Sequence, residues 1–119
     1  MGVKLFDSER KVMEVLWQQG DIPAREIAQQ LARTVGWNKN TTYTVLKKCV
    51  EKGAVERQEP NFLCRARVGR EEVRRQEAAE LVEKMFDGSA SLLFASLLSG
   101  PALPEEEIAR LKALVDQLR

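Results

Sequence analysis

The chain has no histidine, and its two cysteines, Cys49 and Cys64, stand apart without a CxxC pattern. That removes the ordinary zinc-finger ligand sets and leaves no imidazole for general acid–base work. No nucleophile and base pair, phosphate-cradling glycine loop or dinucleotide fingerprint is present, so no enzyme activity is expected. The acidic run Glu105 to Glu107 follows Pro104 and suits the positive end of a helix. With no histidine and no second carboxylate cluster it is not expected to hold a metal, and no cofactor is expected. Long hydrophobic runs are also missing: the longest, "SASLLFASLL", falls far short of the ~20 residues of a membrane helix. The N-terminus "MGVKLFDSER" has no signal-peptide core, and Phe6 and Asp7 stand where a myristoylation motif would carry a small hydroxyl. A cytosolic protein without membrane insertion is expected.

What remains is an ordinary globular composition, 44% apolar and 31% charged over 119 residues, enough for one domain or a small domain with an appendage. The net charge of +1 hides an asymmetry. Residues 1–69 hold twelve Lys/Arg against eight Asp/Glu, and residues 70–119 hold seven against ten. Between residues 33 and 67 the balance is eight basic to three acidic groups, a local excess fit to meet a polyanion.

Apolar periodicity predicts three helices in the first half. In "DSERKVMEVLWQQGD" Val12, Met13, Leu16 and Trp17 share a stripe, with Asp7 or Ser8 as N-cap and Gly20 as the stop. "IPAREIAQQLARTVG" repeats the pattern through Ile27, Leu31 and Ala32 between Pro23 and Gly36. In the third segment Thr42, Val45, Leu46, Cys49 and Val50 form one face, capped by Asn38 and closed by Gly53. Residues 35–38 alone separate the second and third helices, the signature of a helix-turn-helix. After Gly53 the period changes to two: "AVERQ" and "FLCRARV", split by "EPN", read as a β-hairpin. Phe62, Cys64, Ala66 and Val68 form its packing face, and Leu63, Arg65 and Arg67 the other.

The expected fold is mainly α with a small β-hairpin: a winged helix-turn-helix domain over residues 1–69, then a helical dimerisation domain over residues 70–119. In the second part "REEVRRQEAAELVEKMFDG" carries Val73, Leu81, Val82, Met85 and Phe86; "SASLLFASLLSG" carries Leu93 and Leu97; and the last segment carries Ile108, Leu111, Val115 and Leu118. About fifty residues give too little chain for an independent core, so a second copy is the expected partner.

If Thr42, Val45, Leu46 and Cys49 face inward, the third helix turns Asn40, Thr41, Tyr43, Thr44, Lys47 and Lys48 outward, next to Asn38 and Lys39. Asn can pair with adenine, Thr offers a hydroxyl and a methyl, and Lys neutralises phosphate, so the face suits double-stranded DNA. A merely solvated face would mix Glu with Lys, and residues 38–50 contain no acid. Arg57, Arg65 and Arg67 would extend the basic surface along the hairpin, although edge arginines also deter aggregation. Trp17 and Trp37 read as packing residues at helix ends. Cys49 and Cys64 read as buried structural thiols, with a redox pair as the alternative. A winged helix serving as a protein-interaction module is the alternative to DNA binding.

The segments "VMEVLW", "AREIAQQLA", "GWNKNTTYTVLKKCVEKGAVER", "REEVRRQEAAELVEKMF" and "LPEEEIARLKALVDQL" resemble, in order and spacing, the penicillinase repressors, the BlaI/MecI/CopY group of bacterial transcriptional regulators. The resemblance implies a homodimeric repressor on palindromic operators, with Asn40, Thr41, Thr44 and Lys48 contacting bases or backbone. Genes for a β-lactamase, a cell-wall function or efflux are the targets it implies. It also implies, for antibiotic-responsive members, a membrane metalloprotease sensor that cuts at an Asn-Phe bond in the C-terminal domain. This chain departs in three places. Its wing reads "EPNFLCRARV" instead of a glycine-arginine turn, its one Asn-Phe pair is Asn61-Phe62 in that wing, and the C-terminal cysteine motif of copper-responsive members is absent.

Overall fold

The computed structural model describes residues 3–101 and 103–118. The elements run α1 (Asp7–Gln19), β1 (Ile22–Pro23), α2 (Ala24–Thr34), α3 (Lys39–Glu51), β2 (Val55–Gln58), β3 (Leu63–Ala66), α4 (Arg70–Met85), α5 (Ala90–Leu98) and α6 (Glu105–Gln117). They form two compact units, Met1–Glu77 and Ala78–Arg119.

In the first unit the predicted stripes converge. Val12, Met13 and Leu16 of α1 meet Ile27 and Leu31 of α2 and Val45, Leu46 and Cys49 of α3 in one buried cluster. Each such aliphatic side chain gains roughly 1.5–3 kcal/mol on leaving water, which explains why the stripes fix the packing. On α2 the inward set includes Ala24 and Ala28, while Ala32 is exposed. Ala28 follows Ile27 directly and precedes Leu31 by three, so it shares their face.

The start of α1 differs from expectation. The N-cap position is Phe6, and neither Asp7 nor Ser8 caps the helix. Glu9 takes over, its Oε1 accepting from the Phe6 N–H at 2.8 Å. This carboxylate is buried, 1% exposed, and is ion-paired to Lys52 just beyond α3. A cap shared with a buried ion pair is invisible to a pattern that looks for a short polar residue at the helix start. The other caps follow the sequence: Asn38 Oδ1 accepts from the Thr41 N–H at 2.8 Å. Gly53 takes φ 82, which glycine adopts without penalty.

The wing has three strands instead of the expected two, in the order β1-β3-β2, all antiparallel. Ile22 and Pro23 pair with Cys64 and Leu63, and Arg57 and Gln58 pair with the same two residues from the other side. Two residues are too short to show a period, and the proline at the end of β1 disguises it further. Cys64 and Val68 are buried and Arg65 and Arg67 exposed, so the two faces of the second hairpin run are as read. Trp17 packs at the end of α1, its Nε1 donating to the Val68 carbonyl at 2.9 Å.

The beginning of α4 belongs to this unit. Val73 is 4% exposed and sits in the same core cluster. Arg70 bonds to Glu14 at 2.7 Å, and Arg10 makes a two-oxygen fork to Glu77 at 2.8 and 2.9 Å. Val73, expected in the dimer face, is therefore used by the core of the first unit. In the second unit, neither α5 nor α6 buries a residue. Leu81, Met85, Ile108, Val115 and Leu118 are exposed, and Val82, Phe86, Leu93, Leu97 and Leu111 are only partly covered.

Candidate nucleic-acid interface

Helix α3 owes its two faces to its sequence. Thr42, Val45, Leu46 and Cys49 are buried, so at 100° per residue the remaining positions fall outside. Asn40, Thr44 and Lys48 follow at intervals of four and make one exposed row. Lys39 and Lys47 are exposed beside it, with Tyr43 half-buried between them against the core and the Lys39 ammonium 5.8 Å from its ring centre. From Asn40 to Lys48 the rise is about 12 Å, close to the width of a DNA major groove. The first turn carries no acidic residue, so the positive end of the helix is left uncompensated. Thr41 is half-buried, and Asn38 is engaged by its capping bond, leaving its amide N–H groups as donors.

The three wing arginines are used differently. Arg57 pairs through Nε with Glu59, and its guanidinium lies 3.8 Å from the centre of the Phe62 ring. Arg65 is bonded to Asp21 at 2.9 Å, which raises its pKa further through that hydrogen bond and the carboxylate charge. Arg67 is exposed and makes no ion pair among the described residues. Tyr43 on α3 tilts against Phe62 with ring centres 6.0 Å apart, so a Tyr43–Phe62–Arg57 stack joins α3 to the wing. Phe62 falls on the packing face by alternation along the hairpin, which does not reveal this role. Its place directly after the Pro60-Asn61 turn, facing a tyrosine-bearing helix, is the signal that could have marked it.

Both thiols lie beneath this surface. Cys49 and Cys64 are fully buried and free. Burial, then the nearby Glu9 charge, pushes Cys49 up to about 12. Burial likewise pushes Cys64 up to about 11. Neither is the activated thiolate a reactive site needs. Among the described residues no group of three or more acidic or sulfur ligands could hold a metal, and no helix is long and apolar enough to cross a membrane.

The family model described as penicillinase repressor matches residues 5–117. The chain belongs to the penicillinase repressor family. Family membership places it among transcriptional repressors and outside the enzymes. It is 22% identical over 116 residues to the penicillinase repressor of Bacillus licheniformis, covering 96% of this chain and 91% of that one. To the methicillin resistance regulatory protein MecI of Staphylococcus aureus it is 19% identical over 116 residues, covering 96% and 94%. The solution structure of the DNA-binding domain of the repressor BlaI superposes with a TM-score of 0.54 at 25% identity, over 58% of this chain and 87% of that one.

Proposed function

We propose that this penicillinase-repressor family member represses transcription as a homodimer on palindromic double-stranded operators, the first unit binding DNA and the second dimerising. The carrying observation is the outer face of α3, which carries no acid from Lys39 to Val50 and meets one only at its last residue, Glu51, with Asn40, Thr44 and Lys48 in one exposed row. In this reading α3 enters the major groove. Asn40, Thr41 and Thr44 address base edges, Asn38, Lys39, Tyr43, Lys47 and Lys48 reach the flanking backbone, and Arg57, Arg65 and Arg67 follow it along the wing.

Dimerisation accounts for the apolar surface that the second unit leaves exposed or only partly covered: Leu81, Val82, Met85, Phe86, Leu93, Leu97, Ile108, Leu111, Val115 and Leu118. Isolated apolar residues on a surface are normal, whereas helices with no buried residue at all require a partner. The regulated genes in this reading encode a β-lactamase, a cell-wall function or efflux. A membrane metalloprotease sensor is a further partner in this reading, and residues 70–119 hold no Asn-Phe bond for it to cut.

Fluorescence anisotropy on duplexes tiled across the gene's own promoter, each against a scrambled control, tests this reading. Two protomers on one palindromic tile, with a preference of at least ~10³ over the control, are expected. Equal weak binding to every tile would refute it and favour a winged helix that meets an acidic protein.

A further inference from the structure

Between the outer face of α3 and the wing lies an open-sided groove of about 270 Å³, lined by Tyr43, Lys47, Val50, Arg57 and Phe62. Two rings and a valine give it an apolar lining, and two cations stand at its edge. The groove is built in advance. Phe62, at φ 48, holds a backbone conformation that a non-glycine residue keeps only when its surroundings enforce it. Here its carbonyl accepts from the Ala24 N–H at 2.9 Å, its ring packs against the core, and Arg57 covers the ring at 3.8 Å.

The cations are only partly spoken for. Lys47 is exposed and makes no ion pair among the described residues. Arg57 gives its Nε to Glu59, and its terminal nitrogens make no hydrogen bond among the described residues. DNA in duplex form offers phosphates and base edges to such a surface, and its ring faces are hidden in the stack. An apolar, aromatic lining beside two cations matches a flat ring bearing a negative group more closely. The volume lies just below the usual range for drug-sized ligands, which limits the occupant to about one ring.

We propose that this groove binds a small planar aromatic carboxylate, its ring against Tyr43, Val50 and Phe62 and its carboxylate between Lys47 and Arg57. Occupancy would neutralise two of the cations that the proposed function assigns to DNA, so the ligand would weaken repression. That regulatory step rests on the DNA-binding reading, whereas the site itself does not.

Amide NMR spectra of the full chain, without DNA and at constant ionic strength, are titrated with benzoate, with benzylamine as the same ring of opposite charge, and with acetate as the same charge without a ring. Benzoate is expected to shift the Tyr43, Lys47 and Phe62 amides saturably, with half-saturation at or below roughly 10 mM, the weak limit for a ligand of about ten non-hydrogen atoms. Lys47→Gln, at an exposed side chain, and Arg57→Gln, which also uncovers the Phe62 ring, should each weaken it about three- to fivefold, with the rest of the spectrum unchanged in Lys47→Gln. No saturation, an equal response to acetate or benzylamine, or full binding in both variants would overturn the site. In a parallel anisotropy titration, benzoate should raise the dissociation constant for a labelled promoter duplex in the parent protein and less so in Lys47→Gln. Saturated benzoate with unchanged duplex affinity would overturn the regulatory step alone. A duplex that fails to bind even without benzoate would overturn the DNA reading and that step together, with the amide shifts still deciding the site.

Discussion

Replacing Lys52 by methionine tests how α3 is held against α1. The ammonium lies at the C-terminal end of α3, where it pairs with Glu9, donates to the Lys4 carbonyl at 2.8 Å and sits 4.1 Å from the centre of the Phe6 ring. Methionine keeps most of the stem over that ring and removes only the charge. Glu9 would then be a carboxylate 1% exposed, with Oε2 already unpartnered among the described residues and Oε1 left with the Phe6 N–H alone. Breaking a buried pair costs about 3–5 kcal/mol, but the Lys52 side chain is 28% exposed, so water softens the loss to about 2–3 kcal/mol. For a unit of this size each kcal/mol moves the melting temperature by about 4–8 °C, giving a drop of roughly 8–24 °C. Thermal unfolding followed by far-ultraviolet circular dichroism measures it. Adding Glu9→Gln should recover at least about 1 kcal/mol, because the amide leaves no buried charge behind. A Lys52→Met melt within about 2 °C of the parent, or strict additivity in the double variant, would refute the claim that this pair anchors α3.

Lys48→Ala should weaken binding to operator and random duplexes alike and, in a dimer losing two phosphate contacts, reduce the salt slope by about 2. Asn40→Ala should instead cost about 1–3 kcal/mol per half-site on the operator and little on random DNA; equal losses for both variants on both duplexes would end that division of roles. Leu97→Glu should shift the protein from dimer to monomer in sedimentation velocity, with self-association at least ~10-fold weaker; an unchanged dimer would move the interface off α5. Burial raises both thiols above their ordinary value near 9.0, so the unfolded chain loses those protons first and stability falls as pH climbs from about 9 towards about 11 for Cys64 and about 12 for Cys49. Thermal melts of the parent and of a Cys49→Ala, Cys64→Ala variant across that window should show the parent's extra loss, and a parallel decline in both would disprove it. Thr42 is fully buried and its hydroxyl has no partner among the described residues, so Thr42→Val should stabilise by about 1 kcal/mol; a destabilised variant would show that the hydroxyl is bonded in solution.

The difference between what was legible and what was not follows from the range of each interaction. The three helix stripes, the Asn38 cap and the Gly20, Gly36 and Gly53 stops are written within a few residues, and periodicity recovers them because burial acts on every third or fourth position. Glu9 defeats that logic. A glutamate in the first turn normally serves the helix dipole in water, and only Lys52, far along the chain, makes its burial tolerable. Arg65 and Arg57 look alike in the sequence as wing cations, yet Asp21 holds one and the Phe62 ring the other, so their availability to phosphate depends on partners brought in by the fold. Val73 shows the same effect at the boundary. Its spacing fits the apolar set of α4, but the Arg70–Glu14 and Arg10–Glu77 bonds hold the start of that helix on the first unit and turn the side chain into its core. The α3 face escapes this ambiguity because its signal is a missing sign of charge over residues 38–50, which no single distant partner can create or remove. For that reason the exposed Asn40, Thr44 and Lys48 row is the part of the site where sequence and structure constrain each other most tightly, and the wing is where mutagenesis will discriminate most.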